Sequence, residues 1–382
     1  MEDLMKMNVP LEVWEDASNS NLLSFNQEFT QKTKQFRLNS RQIEYIYLIS
    51  FLTNLTELSL QNNNISDISA ITKLKNLKKL NVIDNCIEDI LTLLSLPNLT
   101  HLDLQQNILT SYTLALPNLV DLKLGYNKLI NKSGLYHSSK LQILYLSATE
   151  TTDLRTIPHE LFGLKDLELY RNNIMEISYL SNFVDLQSLS LGRNKQLQNI
   201  GPLKFCTQLT QLRIYYTSVA DIWPLQYMKN LKILDMNCAK VIDLHPLQLL
   251  YKLEYISGHS TCIIDVSPLA GLIQLDIIYL NNNKITNADS LKHHMNYSEY
   301  RLSNQQVPTP DELTFYSKIL SVHNSQKQIQ KLILAENRAS KFQESMTHQK
   351  EQIKIQINQH IRVMNKKIEI WAQFIQNSNT NQ

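Results

Sequence analysis

Glycine is nearly absent from this chain. Seven occur in 382 residues, at 125, 134, 163, 192, 201, 258 and 271. No two stand close enough to form a GxGxxG or GxxxxGK loop, so a backbone cradle for phosphate is excluded. Cysteine is also sparse: Cys86, Cys206, Cys238 and Cys262 form no CxxC pair. That spacing suits neither a zinc site nor a disulfide framework, and reduced, buried thiols are expected. No apolar run approaches the roughly 18 residues that cross a bilayer as a helix. The first residues, MEDLMKMNVPLEVWED, lack the basic and apolar segments of a secretory leader. A cytoplasmic location, with the nucleus admissible, is therefore expected. Excess charge is missing too: 37 Lys and Arg face 35 Asp and Glu. Neither a nucleic-acid nor a membrane partner is expected of so balanced a chain.

Catalytic signatures are equally absent. There is no HExxH and no GxSxG. His293 and His294 are the nearest approach to a ligand pair, but adjacent side chains point apart on a regular element. No catalytic residue, metal site or cofactor is expected, and the chain is not read as an enzyme.

What is present is a repeat. The stretch Leu55-Thr-Glu-Leu58-Ser-Leu60-Gln-Asn-Asn63-Asn-Ile65-Ser-Asp-Ile68 reads L-x-x-L-x-L-x-x-N-x-I-x-x-I. Its second anchor returns as Phe36, Leu58, Leu80, Leu102, Leu122, Leu144, Leu167, Leu189, Leu212, Leu234, Ile256, Ile278 and Tyr300. The twelve intervals are 22, 22, 22, 20, 22, 23, 22, 23, 22, 22, 22 and 22 residues. A fixed period of this length is the mark of a solenoid, in which each unit buries its apolar face only against its neighbours. About thirteen units over residues 33–309 follow.

This pattern resembles that of leucine-rich-repeat proteins. Its 22-residue units are similar to those of bacterial internalins and of the protein phosphatase-1 regulatory subunit 7 family. The turns Ile200-Gly-Pro202-Leu203, Ile222-Trp-Pro224-Leu225, Leu244-His-Pro246-Leu247 and Val266-Ser-Pro268-Leu269 strengthen the likeness. The resemblance implies an α/β repeat: a horseshoe solenoid with a parallel sheet on its concave face. It also implies protein binding on that face. In the phosphatase-regulator family an acidic and aromatic concave face grips a catalytic subunit.

Within each unit the L-x-L segment reads as a short strand, its two leucines inward and the residue between them outward. Asn63, Asn85, Asn107, Asn127, Asn172, Asn194 and Asn283 close the strand, where a side-chain amide can satisfy turn backbone. Thr149, Thr217 and Thr261 replace it, and Ala239 offers nothing. Gly258 stands where a core leucine belongs. Local irregularity is expected at Ala239 and Gly258, and a more helical back in the longer unit around Ile157-Pro158-His-Glu-Leu161-Phe162.

The outward strand positions supply the candidate site. They comprise Asp103, Asp121, Tyr145, Asp166, Glu168, Tyr170, Arg213, Tyr215, Asp235, Tyr255 and Tyr279. The five tyrosines read as a broken column, and Tyr126, Arg171, Arg193 and Tyr216 lie just past the strand edge. Tyr and Arg join large contact area to a polar tip, which is why they dominate protein interfaces. A protein partner on the concave face is expected.

The ends differ in composition. Residues 1–32 read as an N-terminal cap. Pro308-Thr309-Pro310-Asp311-Glu312 is a helix start, with Thr309 as N-cap. Residues 310–378 read as a long helix or helical hairpin, and 379–382 as a disordered tail. Ile353, Ile357, Ile361, Met364, Ile368, Trp371 and Ile375 make a heptad-like seam. Self-association through 353–375 is one way to cover it. The functional expectation is an adaptor or regulatory subunit, a phosphatase regulator among them. The alternatives are a scaffold that dimerises through its tail and an internalin-like adhesin.

Overall fold

The computed structural model describes residues 32–295 and 299–306, with 321, 355–359, 361–362 and 365. The expected cap (1–32, save Lys32), most of the extension at 310–378 and the tail at 379–382 lie outside the described residues. The chain divides into two units, Met1–Asn283 with Asn287–Gln305, and Lys284–Thr286 with Gln306–Gln382. In the second, residues 355–359, 361–362 and 365 are helical, with Ile357 buried and Ile355 exposed.

The first unit is the expected solenoid. Its thirteen strands form one sheet in sequential order. They are β1 (Gln35–Arg37), β2 (Glu57–Ser59), β3 (Lys79–Asn81), β4 (His101–Asp103), β5 (Asp121–Lys123), β6 (Ile143–Tyr145) and β7 (Asp166–Glu168), followed by β8 (Ser188–Ser190), β9 (Gln211–Arg213), β10 (Ile233–Asp235), β11 (Tyr255–Ser257), β12 (Ile277–Tyr279) and β13 (Glu299–Arg301). Every pairing is parallel, and the anchors stack in register: Phe36 on Leu58, Leu58 on Leu80, and so to Ile278 on Tyr300. Leu58, Leu60, Leu80, Leu102, Leu122, Leu144, Leu167, Leu189 and Leu212 are each at most 2 % exposed. Each such burial stabilises the fold by about 1.5–3 kcal/mol.

The closing asparagines form a ladder. Asn63 Oδ1 accepts from the N–H groups of Arg41 and Ile43, and its Nδ2 donates to the carbonyls of Leu38 and Leu60. One side chain thus satisfies backbone in its own unit and in the one before. Asn85, Asn107, Asn127, Asn172, Asn194 and Asn283 repeat the arrangement. In the last unit Gln305 takes the place, donating to Leu280 and Leu302.

A second ladder runs along the back. Asp67, Asp89, Asn131, Asp153, Glu176, Asn199, Asp221, Asp243, Asp265 and Asn287 each accept from the N–H two residues ahead, where a 3-10 turn begins. These turns, not longer helices, connect the strands everywhere but between β4 and β5. Between β1 and β13 the α-helix among the described residues is a single turn, Lys292–Met295.

Three expectations need correction. The longer unit has a less helical back: its 3-10 turn is only Leu154–Thr156. Ile157 precedes Pro158, and clash with the proline ring drives it extended, at φ −97° and ψ 117°. Gly258 and Ala239 cause no break in register across β10, β11 and β12. The space left by Gly258 is filled by Ile263, Leu280 and Met236, which would stand 3.1 Å from a Cβ there. Of the cysteines only Cys206 is buried; Cys238 and Cys262 are half-buried and Cys86 is exposed. All four are free thiols.

The 20-residue interval gives up its 3-10 turn. Between β4 and β5 the back is extended and bridges Ser111 to Asn131. Tyr112 is fully buried in the shortened unit. Its ring leaves no room at Gly134, where a Cβ would lie 2.8 Å from Tyr112 Cδ1 and 2.7 Å from the Leu114 carbonyl oxygen.

Candidate protein-binding surface

Strand alternation turns one side chain in two outward, and the parallel register aligns these into rows. One row runs Asp103, Lys123, Tyr145, Glu168, Ser190, Arg213, Asp235, Ser257, Tyr279. A second holds Asp121, Ile143, Asp166, Ser188, Gln211, Ile233 and Tyr255. Tyr170 and Tyr215 lie two residues beyond the strand ends. The five tyrosines therefore occupy three positions rather than one column.

The structure gathers them into groups. In the first, Lys123 Nζ lies 3.7 Å from Asp121 Oδ2 and 5.0 Å from the centre of the Tyr145 ring. The Tyr145 hydroxyl donates to Asp166 Oδ2 at 2.9 Å. Asp121 Oδ1 is buried without a hydrogen-bond partner. Burial holds the Asp121 carboxyl above the usual carboxylate range, against the pull of Lys123. Tyr145 is pushed far above an ordinary phenol, by burial first and then by its bond to Asp166.

The second group is aromatic. Tyr170 and Tyr215 meet at 5.8 Å between ring centres, tilted by 36°. Gly192 stands between them, two residues beyond β8, and makes this contact possible: a Cβ there would lie 2.6 Å from Tyr215 Cζ. Tyr216 packs edge-on against Tyr215 at 6.3 Å. The Arg193 guanidinium lies 5.0 Å from the Tyr216 ring centre and 6.0 Å from that of Tyr170. Burial, then Tyr170 and the acids Asp235 and Glu168, push the Tyr215 hydroxyl up to about 12.

Tyr255 and Tyr279 form a separate T-shaped pair at 5.9 Å, with Arg301 over Tyr279 at 4.9 Å. Asp103 and Asp235 are each held above the ordinary carboxylate range by burial. Each accepts a local backbone bond, Asp103 from Gln105 and Asp235 from Asn237. Arg213 donates to Gln211 at 3.4 Å. Asp103 and Asp121 also border a shallow depression of about 410 Å³ that reaches back to Arg37.

The residue before each closing asparagine belongs to this surface as well. Its backbone is left-handed in every unit, from Ser40 at φ 58° to Asn304 at φ 57°. Asn and Asp tolerate that conformation best, and Asn62, Asp84, Asn282 and Asn304 use them near the ends of the sheet. In the middle stand Tyr126 (φ 59°), Ala148 (51°), Arg171 (54°), Arg193 (57°), Tyr216 (52°) and Cys238 (55°). Tyr126 and Tyr216 are 39 % and 46 % exposed. The sequence signal is the position itself, directly before the asparagine or its threonine substitute.

Among the described residues, no three His, Cys, Asp or Glu side chains are grouped to hold a metal ion. His294 is buried, with its Nε2 3.2 Å from the Leu269 carbonyl. Nor is any helix among them long and apolar enough to cross a membrane.

A family model described as leucine-rich repeats in two copies matches residues 53–96. Leucine-rich repeat-containing protein 56 of Rattus norvegicus is 33 % identical over 114 residues, or 29 % of this chain and 20 % of that protein. The match thus spans about a fifth of the relative's length. An internalin from Listeria monocytogenes has a similar structure, with TM-score 0.69 and 26 % identity, covering 81 % of this chain and 91 % of that one. A leucine-rich-repeat protein of Leptospira interrogans shares the fold at TM-score 0.62 and 22 % identity, over 78 % of this chain and 85 % of its own.

Proposed function

The chain is a leucine-rich-repeat protein, and from that premise we propose that it is a protein-binding adaptor or regulatory subunit. The fold itself is a surface for protein–protein contact and carries no catalytic constellation in this reading. The partner lies on the concave face, across the middle strands. One observation carries this: Tyr170, Tyr215, Tyr216 and Arg193 form a single ring-and-guanidinium cluster on a rigid sheet. Preassembled aromatic anchors lose little conformational entropy on binding, which is how a few residues come to dominate an interface.

The partner named first for testing is a phosphatase catalytic subunit. The acids Asp103, Asp121, Asp166, Glu168 and Asp235 beside tyrosines are the side-chain types that suggest it. The full chain, and the same chain with Tyr145, Tyr170 and Tyr215 changed to Ala, serve as bait in native extract. Capture of a phosphatase catalytic subunit by the first and its loss from the second supports the reading. Capture that ignores the three tyrosines overturns the concave-face assignment. A cytoplasmic or nuclear location belongs to the same proposal.

A second reading, a displayed adhesin of the internalin kind, is favoured by the 26 % identity to the Listeria protein. Cell fractionation separates the two, since an adhesin must be exported.

A further inference from the structure

Arg171 and Arg193 follow adjacent strands, β7 and β8, at the same point of the repeat. Neighbouring parallel strands lie about 4.8 Å apart, so two like charges are held close. Both residues are exposed. No ion pair links either to a carboxylate among the described residues. Each adopts the left-handed backbone that Asn or Asp would hold with less strain. Tyrosines gather at the pair: the Arg193 guanidinium lies over Tyr170 and Tyr216, and Tyr215 packs against both of those rings.

On β7, the sheet body beside this rim has the opposite sign. Asp166 and Glu168 face outward on β7, immediately before Tyr170 and Arg171. Asp121 stands two strands away in the row of Asp166, with one oxygen buried and unpartnered. Passing along β7 from strand to rim, the surface changes from two carboxylates, through a tyrosine, to an arginine.

We infer that the partner is a mixed-charge extended segment of a protein, acidic where it crosses the Arg171–Arg193 rim and basic where it lies over Asp166 and Glu168, with an aromatic or aliphatic residue on Tyr170 and Tyr215. This deepens the concave-face reading and rests on it. A polyanion such as RNA satisfies only the rim: its next phosphates meet Asp166 and Glu168, and like charges in close apposition are strongly disfavoured. A wholly basic segment satisfies only the sheet. Arg is suited to the rim because its planar fork pairs with carboxylates while its face stacks on rings.

The test uses the full chain and labelled peptides of about twelve residues, which extend to about 40 Å. One has an acidic block and a basic block around a central Tyr-Leu. Others are all acidic or all basic around the same centre, and a uridine oligomer of similar length is the fourth probe. Fluorescence anisotropy reads the affinity. The block peptide is expected to bind at least about tenfold more tightly than either single-sign peptide, since each charged half loses its contacts in one of them. Arg171→Glu with Arg193→Glu should weaken the block peptide by at least about tenfold and turn the preference to the all-basic peptide. Arg171→Gln with Arg193→Gln should weaken it without that reversal, and circular dichroism confirms that both variants fold.

Equal binding of block and all-basic peptides, unchanged in the Arg variants, overturns the inference but leaves the concave-face reading intact. Binding of none of the peptides overturns it as well. Tightest binding of the uridine oligomer, lost in the Arg variants, assigns the rim to nucleic acid and overturns it. The tyrosine-dependent capture experiment tests the underlying reading separately.

Discussion

The ring of Tyr215 lies over Gly192 and rests against Tyr170 of the unit beyond. The missing side chain in the middle unit lets two aromatic side chains of its neighbours meet. Gly192 is not in the left-handed region, since no glycine here has a positive φ. Its role is room for the ring, not conformational freedom.

Gly192→Ala is therefore expected to separate the two rings without unfolding the repeat. A Cβ at 2.6–2.9 Å from three atoms of the Tyr215 ring forces the ring outward. The ring stands on the open face and can move, so stability should change by about 1 kcal/mol or less. Near-ultraviolet circular dichroism should alter, and partner capture should fall, as is expected for Tyr215→Ala. An unchanged spectrum would mean that the pair does not depend on Gly192.

Gly134→Ala is expected to behave differently. There the obstacle is backbone, the Leu114 carbonyl at 2.7 Å and N at 2.8 Å, together with the buried Tyr112 ring. Neither yields cheaply, and overpacking of this kind costs about 3 kcal/mol. Gly271→Ala, with nothing within 4 Å, should be neutral or stabilising by about 0.5 kcal/mol. Urea denaturation of the two variants in parallel measures the contrast.

Asn172→Ala removes a side chain that accepts from Thr149 and Thr151 and donates to Leu146 and Leu169. Buried groups left unpaired cost about 1–3 kcal/mol each, reduced where water enters. A loss of about 3 kcal/mol is expected. Asn172→Asp should not rescue it, because a carboxylate cannot donate to the two carbonyls. A chemical denaturation series with both variants checks this.

Tyr215 gives a pH dependence with a definite sign. Burial first, then Tyr170 and the acids Asp235 and Glu168, raise its folded value to about 12 from the ordinary phenol value of 10.0. Between those values the unfolded chain releases the proton and the folded chain keeps it. The stability from this group is complete below about pH 10 and is lost as pH rises towards about 12. Tyr215→Phe should flatten that part of the stability profile. Absorbance at the tyrosinate band should show one fewer late-titrating phenol in the variant.

Much of the fold was legible in the sequence, because the period of the apolar anchors is a direct record of stacking. Leu58, Leu80 and Leu102 recur at 22 residues, and each strand bears the matching residue in register. The asparagine ladder was legible for the same reason. The back ladder was overlooked, although its signal is present: an acid or amide usually recurs nine residues after the anchor, as at Asp67, Asp89, Asp221 and Asp265. The helical back expected around Pro158 failed because one proline restricts its predecessor, a local effect that the repeat pattern hides.

The candidate surface divides along the same line. The alternation of inward and outward residues placed Asp121, Tyr145, Asp166, Glu168 and Arg213 on one face by sequence alone. Which of them touch was decided by side-chain reach between strands about 4.8 Å apart. Tyr145 turns to Asp166, Lys123 to Asp121, and Tyr215 leans across Gly192 to Tyr170. A linear pattern determines the repeat, the strand positions and the buried anchors, because each depends on periodicity. The pairing of Tyr170 with Tyr215 and the setting of Arg193 over Tyr170 and Tyr216 arise only when successive units stack, because each depends on what the neighbouring unit leaves empty or occupies.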